Sequence, residues 1–354
     1  MSTLQKETHW DRTLTCYAAR PANANDMLAR TIALSADNEA VVDGAVRLRY
    51  RELAAALAAN LSARGVGKGE RVAVMLANRV EAVLSVIAIA RIGAIVVPIG
   101  TRLRRPEITY IFDDAQPIAV IHGEEFAGEL PDTGPAHAMR FACGSVAWNA
   151  LLEAGTPAAP PVDVAEEDVF GILYTSGTTG RPKGAMLTHL NVVHSALHWE
   201  DGHRMTRNER TVLCVPWSHV SGLCGVVMPF LRIGGTLVLM AEFKRRDFLV
   251  LVQNERITHA LLVPAMYGLC LLERGVVRRR VLEVRRHRRD RCAGLRTDRR
   301  SQEGHDQPRR LQSVSGRSRE RADRHRGRHR SGGRGTPRRH HGRKRDRVPE
   351  CCAR

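Results

Sequence analysis

The sequence predicts an α/β fold, layered sheets flanked by helices, followed by a disordered Arg-rich tail. Three observations lead there. Between residues 35 and 125, short and continuously apolar runs alternate with helical patterns, the order expected of strands buried on both faces of a parallel sheet. Further on, a glycine-rich stretch from Tyr174 to Gly184 follows one apolar run and precedes another helical pattern. Finally, charge is segregated: residues 1–275 carry 27 Lys+Arg and 28 Asp+Glu, whereas residues 276–354 carry 28 and 9. Four segments result: an N-terminal extension (1–29), a first α/β sub-block (30–165), a second containing the glycine-rich stretch (166–275), and the tail (276–354).

Taken in order, Ala40-Val-Val and Arg47-Leu-Arg flank Asp43-Gly44, a hairpin signal. Tyr50 to Arg64 is an Ala/Leu-rich amphipathic helix with Gly65 as its stop, since glycine takes the left-handed conformation that ends helices. Arg49 stands where a capping hydroxyl belongs, so this helix has a weak start. Val72–Leu76 is a strand, Arg79–Arg91 a helix ended at Gly93, and Ala94–Pro98 the next strand. Pro106–Ala115 is a helix opening on proline, and Ile118–Ile121 another strand. The Gly/Ala/Pro-rich stretch 123–164 reads as irregular connection. No internal repeat is present.

Val169-Phe-Gly-Ile-Leu173 is a buried strand and Leu190–Leu197 the opening of a helix. The stretch between them is built to hold a polyphosphate. Gly177, Gly180 and Gly184 let the backbone approach closely, and successive N–H groups can converge on phosphate oxygens. Thr175, Ser176, Thr178 and Thr179 add hydroxyl donors, Lys183 adds a cation that pairs with phosphate, and Thr188 closes the stretch. The pattern is not G-x-x-x-x-G-K-[ST], because Lys183 comes three residues after Gly180 and precedes Gly184. Nor is it a hydrolase elbow, because Tyr174 stands two residues before Ser176.

Beyond it, Thr211–Val215 is a strand leading to Pro216-Trp-Ser-His219-Val-Ser-Gly222. His219 by itself reads as a cap on the helix that follows or as a histidine satisfied in the core. Trp217 reads as core or pocket wall. Gly234-Gly235 and Thr236–Leu239 form a turn and strand, and Thr258–Leu272 a strand followed by a helix starting near Pro264.

Tyr174-Thr-Ser-Gly-Thr-Thr-Gly-Arg-Pro-Lys-Gly184 resembles the phosphate-loop signature of the adenylate-forming superfamily, which includes acyl-CoA synthetases. Gly-Val-Gly-Lys-Gly-Glu-Arg-Val-Ala-Val and Ile-Gly-Ala-Ile-Val-Val-Pro-Ile, earlier in the chain, are similar to the same family's start. The resemblance spans roughly residues 30 to 272 and implies the N-terminal part of an AMP-binding domain. It implies ATP and Mg2+ at the loop, a carboxylic acid of fatty-acyl type as substrate, CoA as co-substrate, and His219 beside the adenylate being formed. The family's Gly-Tyr-Gly-x-Thr-Glu segment with its magnesium-ligating Glu, its ribose-binding Asp and its C-terminal domain with a catalytic Lys have no counterpart in 276–354. A truncated, inactive chain is therefore expected.

From Val276 onward there is no Phe, Trp, Tyr, Ile or Met and a single Lys among the basic residues, so the tail cannot build a core. Arg-rich runs neutralise phosphates, which leaves a non-catalytic nucleotide-binding or Arg-tail RNA-binding protein as the alternative. The tail lacks aromatic or RGG order, however, and a shifted reading frame in a GC-rich gene, beginning between Leu272 and Arg280, yields such a mixture. Nucleic acid is not the expected partner. The eight cysteines form no C-x-x-C pair, and Met1–Glu7 starts no secretory signal; reduced thiols and a cytoplasmic location follow. Ala82–Pro98 and Leu223–Met240 are apolar, but Arg91 and Arg232 interrupt them, against a membrane span. No metal ligands are assigned.

Overall fold

The computed structural model of the chain describes residues 3–53, 55–134, 139–157, 162–175 and 181–273. The tail, its expected disorder and the proposed frame shift lie outside these residues. Two mixed sheets organise the described residues. The first has the order β10-β9-β6-β5-β7-β8, built from β5 (Arg71–Met75), β6 (Ile95–Pro98), β7 (Ala119–His122), β8 (Arg140–Ala142), β9 (Val169–Thr175) and β10 (Lys183–Thr188). The second has the order β13-β11-β12-β3-β4, from β3 (Glu39–Asp43), β4 (Val46–Arg49), β11 (Arg210–Leu213), β12 (Thr236–Leu239) and β13 (His259–Ala260). β1 (Leu4–His9) and β2 (Arg12–Tyr17) pair separately.

Both sheets are parallel except at one edge, where β10 runs antiparallel to β9 and β4 to β3. The alternating strand–helix order foretold the parallel part and the Asp43-Gly44 signal foretold the β3–β4 return; the β9–β10 return was missed, because a hairpin is set by turn geometry and not by apolar patterning. The sheets also do not divide at residue 165. β3 and β4 join strands from residues 210–260, while β9 and β10 complete the sheet that begins at β5.

Alternation along each strand assigns its faces. Val72 and Val74 of β5 belong to a large core shared with the second sheet; Ala73 and Met75 belong to a smaller one. The large core is filled by α1 (Ala24–Ser35), α2 (Ala55–Ala63), α3 (Val80–Arg91), α6 (His189–His203) and α8 (Met228–Ile233), lying between the sheets. α4 (Arg105–Ala115) covers the outer face of the first sheet with Ile108, Ile111 and Phe112. α9 (Arg245–Asn254) and α10 (Pro264–Leu272) cover the outer face of the second through Phe248, Met266 and Cys270. α5 (Val146–Leu152) packs on α2.

Several local expectations meet their physical cause here. Gly44, Gly65 and Gly93 all take positive φ at the ends where they were expected. The helix after Arg49 opens as a 3-10 turn, Tyr50–Glu52, before α2 begins. Glu52 accepts the Arg49 N–H at 2.7 Å, but the Arg49 side chain has nothing with which to accept in return. The expected N-terminal extension is instead a hairpin, β1–β2, followed by α1, which Asn23 caps by accepting the Asp26 N–H at 2.9 Å. The stretch 123–164, expected to be irregular, holds a 3-10 turn, β8 and α5. The two apolar stretches resolve into separate helices and strands, and no helix among the described residues is long and apolar enough to cross a membrane.

One buried side chain joins the sheets. Asn78, 4 % exposed just past β5, shares its amide N–H groups among the carbonyls of Leu213, Val215 and Met240 at 3.0–3.1 Å. Its oxygen accepts the Trp217 N–H at 2.9 Å, and the Trp217 indole donates to the Leu76 carbonyl at 2.7 Å. Asn78→Ala takes the amide from the Val215 and Met240 carbonyls and from the Trp217 N–H, while Leu213 keeps the Met240 N–H at 3.1 Å; burying groups so deprived costs about 1–3 kcal/mol. The expected result is a lower denaturant midpoint with an unchanged slope, measured by urea titration of the full chain.

Candidate nucleotide site

The glycine-rich stretch connects β9 to β10, so it is the loop of an antiparallel hairpin whose last pair is Thr175 opposite Lys183. Ser176, Gly177, Thr178, Thr179 and Gly180 lie outside the described residues. The chain returns from the loop as a strand, and the helix α6 starts only after β10. The far side of the loop is therefore the Lys183 end of β10 and not the N-terminus of a helix.

Two glycines position that hairpin. A Cβ on Gly171 would come within 3.0 Å of the Val96 carbonyl, and Gly171 is where β9 registers against β6. A Cβ on Gly184 would stand 2.8 Å from Ile172 and 3.1 Å from the Tyr174 ring. Gly184 therefore gives Tyr174 room to lie across β10 and donate its hydroxyl to Asp114 of α4. Burial and that carboxylate both raise the Tyr174 phenol above its usual range, so it stays protonated and the contact persists. Thr175 and Lys183 are exposed at the mouth of the hairpin. Among the described residues Lys183 has no carboxylate within ion-pair distance; its ammonium is available to an anionic ligand.

Thr188 is placed differently from the expectation. It pairs with Val169 at the opposite end of β10 from Lys183, five steps along the strand or about 17 Å. Its hydroxyl accepts the Asn191 N–H while Asn191 accepts the Thr188 N–H, a reciprocal cap on α6. The geometry assigns this side chain to starting a helix and does not bring it to the loop. Sequence reasoning grouped it with the loop because proximity along the chain was the only measure to hand.

The second landmark shares an edge with the first. β9 runs parallel to β6 and β6 to β5, so the loop leaves from the carboxyl edge of the first sheet. Asn78, just beyond the carboxyl end of β5, grips the carboxyl ends of β11 and β12. The segment carrying His219 leaves from that same edge, where open α/β sheets bind ligands. Trp217, 2 % exposed, is core and anchor, as its apolar bulk suggested. His219 is exposed and caps the short helix α7 (Val220–Gly222): its Nδ1 lies 3.0 Å from the Ser221 hydroxyl and accepts the Ser221 N–H at 3.4 Å. The capping reading is thus realised, and it orients the ring so that Nε2 is the nitrogen left for a ligand.

Gly222 makes the turn possible. A Cβ there would fall 2.2 Å from the Pro216 carbonyl oxygen and 2.7 Å from the Trp217 Cα, backbone atoms that cannot move aside. After it the helix widens into a π turn, Leu223–Val227, before α8. Sequence reasoning missed Asn78; its signal was a lone amide directly after an apolar strand.

Cysteine and metal chemistry can be weighed in the same terms. Burial pushes the thiols of Cys143, Cys214 and Cys224 up to about 12, so none is a thiolate near neutrality. Three-donor groups occur among the described residues only at the N-terminal hairpin: Glu7, His9 and Cys16, and His9, Glu166 and Glu167. There the Arg20 guanidinium already bridges Glu7 and Glu166, holding the position a cation would take. Among the described residues, neither group lies at the glycine-rich loop.

A family model described as AMP-binding enzyme matches residues 28–320. The chain belongs to the AMP-binding enzyme family. That match runs past residue 272, where the sequence resemblance had been read to stop. The chain is similar to a feruloyl-CoA synthase of Amycolatopsis sp, 34% identical over 241 residues, which cover 67% of this chain and 48% of that protein. It is also similar to the long-chain-fatty-acid–CoA ligase FadD13 of Mycobacterium tuberculosis, 33% identical over 228 residues, 62% of this chain and 45% of that one. This AMP-binding chain thus spans about half the length of the curated relatives it matches. Its fold matches the inhibitor-bound N-terminal domain of FACL13 from Mycobacterium tuberculosis, with a TM-score of 0.65, 31% identity, and coverage of 70% of this chain and 65% of that one.

Gly222→Ala should force Pro216 and Trp217 apart, costing roughly 1–3 kcal/mol as overpacking does. Near-ultraviolet circular dichroism of Trp217 and a thermal midpoint check this; Gly268→Ala, at an open position inside α10, should leave the spectrum unchanged and not lower the midpoint, since alanine favours a helix interior over glycine by about 0.5–1 kcal/mol.

Proposed function

We propose that this chain descends from an acid–thiol ligase of the acyl-CoA synthetase type and uses the β9–β10 loop to hold the polyphosphate of ATP. In that reaction a substrate carboxylate attacks the ATP α-phosphorus, the Pα–O bond to pyrophosphate breaks, and an acyl-adenylate forms. The CoA thiol then attacks the acyl carbon, giving the thioester and releasing AMP. Phosphoryl and acyl transfer of this kind depend on positioning and on stabilising developing negative charge. Lys183, exposed at the mouth of the loop, suits the polyphosphate; His219, with Nδ1 held by Ser221, suits the carboxylate and adenylate through Nε2. The observation that carries this reading is that both landmarks of an AMP-binding chain leave from one carboxyl edge, joined there by Asn78 and Trp217.

The substrate is a carboxylic acid. A fatty acid is the finer reading, supported by the printed name of FadD13, while the feruloyl-CoA synthase and an indoleacetate–CoA ligase of Aromatoleum aromaticum favour an aryl acid. Residues 1–354 by themselves would hold polyphosphate without turning over, because residues 276–354 carry none of the nucleoside-binding or catalytic motifs the family uses. A shifted frame near residue 275 accounts for that composition, and family-like residues read in another frame of the gene would bear it out. An intact frame without them would end that idea.

Lys183→Ala should weaken pyrophosphate or ATP binding about tenfold or more, the worth of one charge-assisted contact, in calorimetric titration at low salt. Pyrophosphate release dependent on a fatty or aryl acid should not exceed the Lys183→Ala background. Release above that background would overturn the inactivity. Equal ATP binding by both proteins, with tight salt-dependent RNA binding, would favour the Arg-tail alternative.

A further inference from the structure

The N-terminal hairpin meets the rest of the fold through a charged cluster that the nucleotide site does not use. Gln5, Glu7 and His9 lie on one face of β1, with Cys16, Leu14 and Arg12 opposite them on β2. That face turns toward residues 164–167, which run directly into β9. His9 is 5 % exposed, and both of its ring nitrogens meet carboxylates: Nδ1 is 2.8 Å from Glu167 Oε1, and Nε2 is 3.1 Å from Glu7 Oε2. Glu166 lies 3.9 Å from Nδ1. Arg20 ties the same groups together, donating to Glu7 at 2.5 and 2.7 Å and to Glu166 at 2.9 and 3.0 Å.

A carboxylate oxygen can only accept. A neutral imidazole has one N–H to give and one lone pair, so it can satisfy one carboxylate and must face the other with a repelling pair. Only the imidazolium donates to both. We propose that His9 is a proton-operated latch: protonated, it bridges Glu7 of the hairpin to Glu167 of the segment entering the loop strand, and deprotonated it lets one of them go.

The surroundings favour this division of labour. Residues 163–168 are held independently of the hairpin. Asn23 donates to the Val164 carbonyl at 2.8 Å, Lys68 pairs with Asp168 at 2.7 Å, and the Leu190 N–H reaches the Glu166 carbonyl at 2.7 Å. The hairpin hangs on them through His9, Arg20 and the Tyr17 ring, which packs against His194 and His198 of α6. The charged and titratable groups facing His9 are Glu7 and Cys16 from the hairpin, Arg20, Glu166 and Glu167, with His194 from α6. Burial lowers His194 and raises the Cys16 thiol, so both are neutral near pH 7 and neither competes for the carboxylates.

The direction of the pH response follows. Glu167 first, then Glu7 and the charge of Glu166, hold His9 above its ordinary 6.5 against the opposing effect of burial. A folded value above the unfolded one means the attachment is at full strength below 6.5 and is lost as pH rises through the raised value. Glu7 is held well below the carboxylate range by Arg20, so its own contribution fails only in strong acid. The hairpin is therefore firmest in mildly acidic to neutral solution and loosens as solution becomes alkaline.

Hydrogen exchange by mass spectrometry on the full chain at pH 6 and pH 9, corrected for intrinsic rates, tests this directly. Protection of fragments covering 4–17 should fall about tenfold across that range, the scale of one lost hydrogen bond to a charged group, while fragments covering β5 and β6 change much less. His9→Phe, which has no ring N–H to donate, should show the low protection at both pH values. Glu167→Gln, at a position 40% exposed and so tolerant of change, should move the His9 titration midpoint downward by proton–nitrogen NMR. Equal hairpin protection at the two pH values, the same pH-dependent fall in His9→Phe, or an unmoved His9 midpoint in Glu167→Gln would each overturn the latch.

Discussion

The amide of Asn78 is the contact on which the rest of the arrangement depends. Two sheets, each with its own outer helices, could lie at many relative positions across a shared apolar core, because burial of Val, Leu and Ile is non-directional. Hydrogen bonds are directional. By giving its N–H groups to carbonyls at the ends of β11 and β12 and accepting from Trp217, Asn78 sets where the carboxyl edge of one sheet meets that of the other. Trp217 adds a second tie through Leu76. The glycine-rich loop follows β9 of the first sheet and His219 follows β11 of the second, so this structural amide fixes how the segments leaving the two edges are placed.

Close packing of backbone then refines each arm of the site. Gly171 lets β9 sit against β6, Gly184 makes room for Tyr174 across β10, and Gly222 folds the His219 turn onto Pro216. None of the three has positive φ. Their requirement is space, and interiors packed to crystal-like density have no room to absorb an added methyl. The same pressure separates Thr188 from the loop, since a strand of six residues stands between them and the helix it caps must start where the strand ends.

The hairpin at the chain start shows a different balance. Cys16 and Tyr17 are buried at one end, but the rest of the docking face is mostly polar, and Arg20, three carboxylates and His9 hold it there. Electrostatic attachment of a small element to a large core is adjustable by protonation in a way that the Val- and Ile-filled layers are not. The helices between the sheets, by contrast, rest on side chains such as Met27, Leu57, Ile89 and Phe230 that are almost wholly buried.

What the amino-acid order determined alone is the set of local decisions with short-range causes. Apolar runs of four or five residues became β5, β6, β7, β9, β11 and β12; glycines became helix stops and a hairpin turn; the loop stretch and the His219 turn were visible in their residue types. Charge counting confined the basicity to residues beyond 275. Tertiary structure alone decided which strands are neighbours, sending β3 and β4 to the second sheet and β9 and β10 to the first. It also decided that Lys183 opens a strand and not a helix, that Thr188 caps α6 at the far end of that strand, and that Asn78 and His9 matter at all. The physical reason is range: propensity and turn chemistry act over a few residues, whereas sheet order, cross-sheet hydrogen bonds and ion clusters join positions more than a hundred residues apart, such as Asn78 with Trp217 or His9 with Glu167.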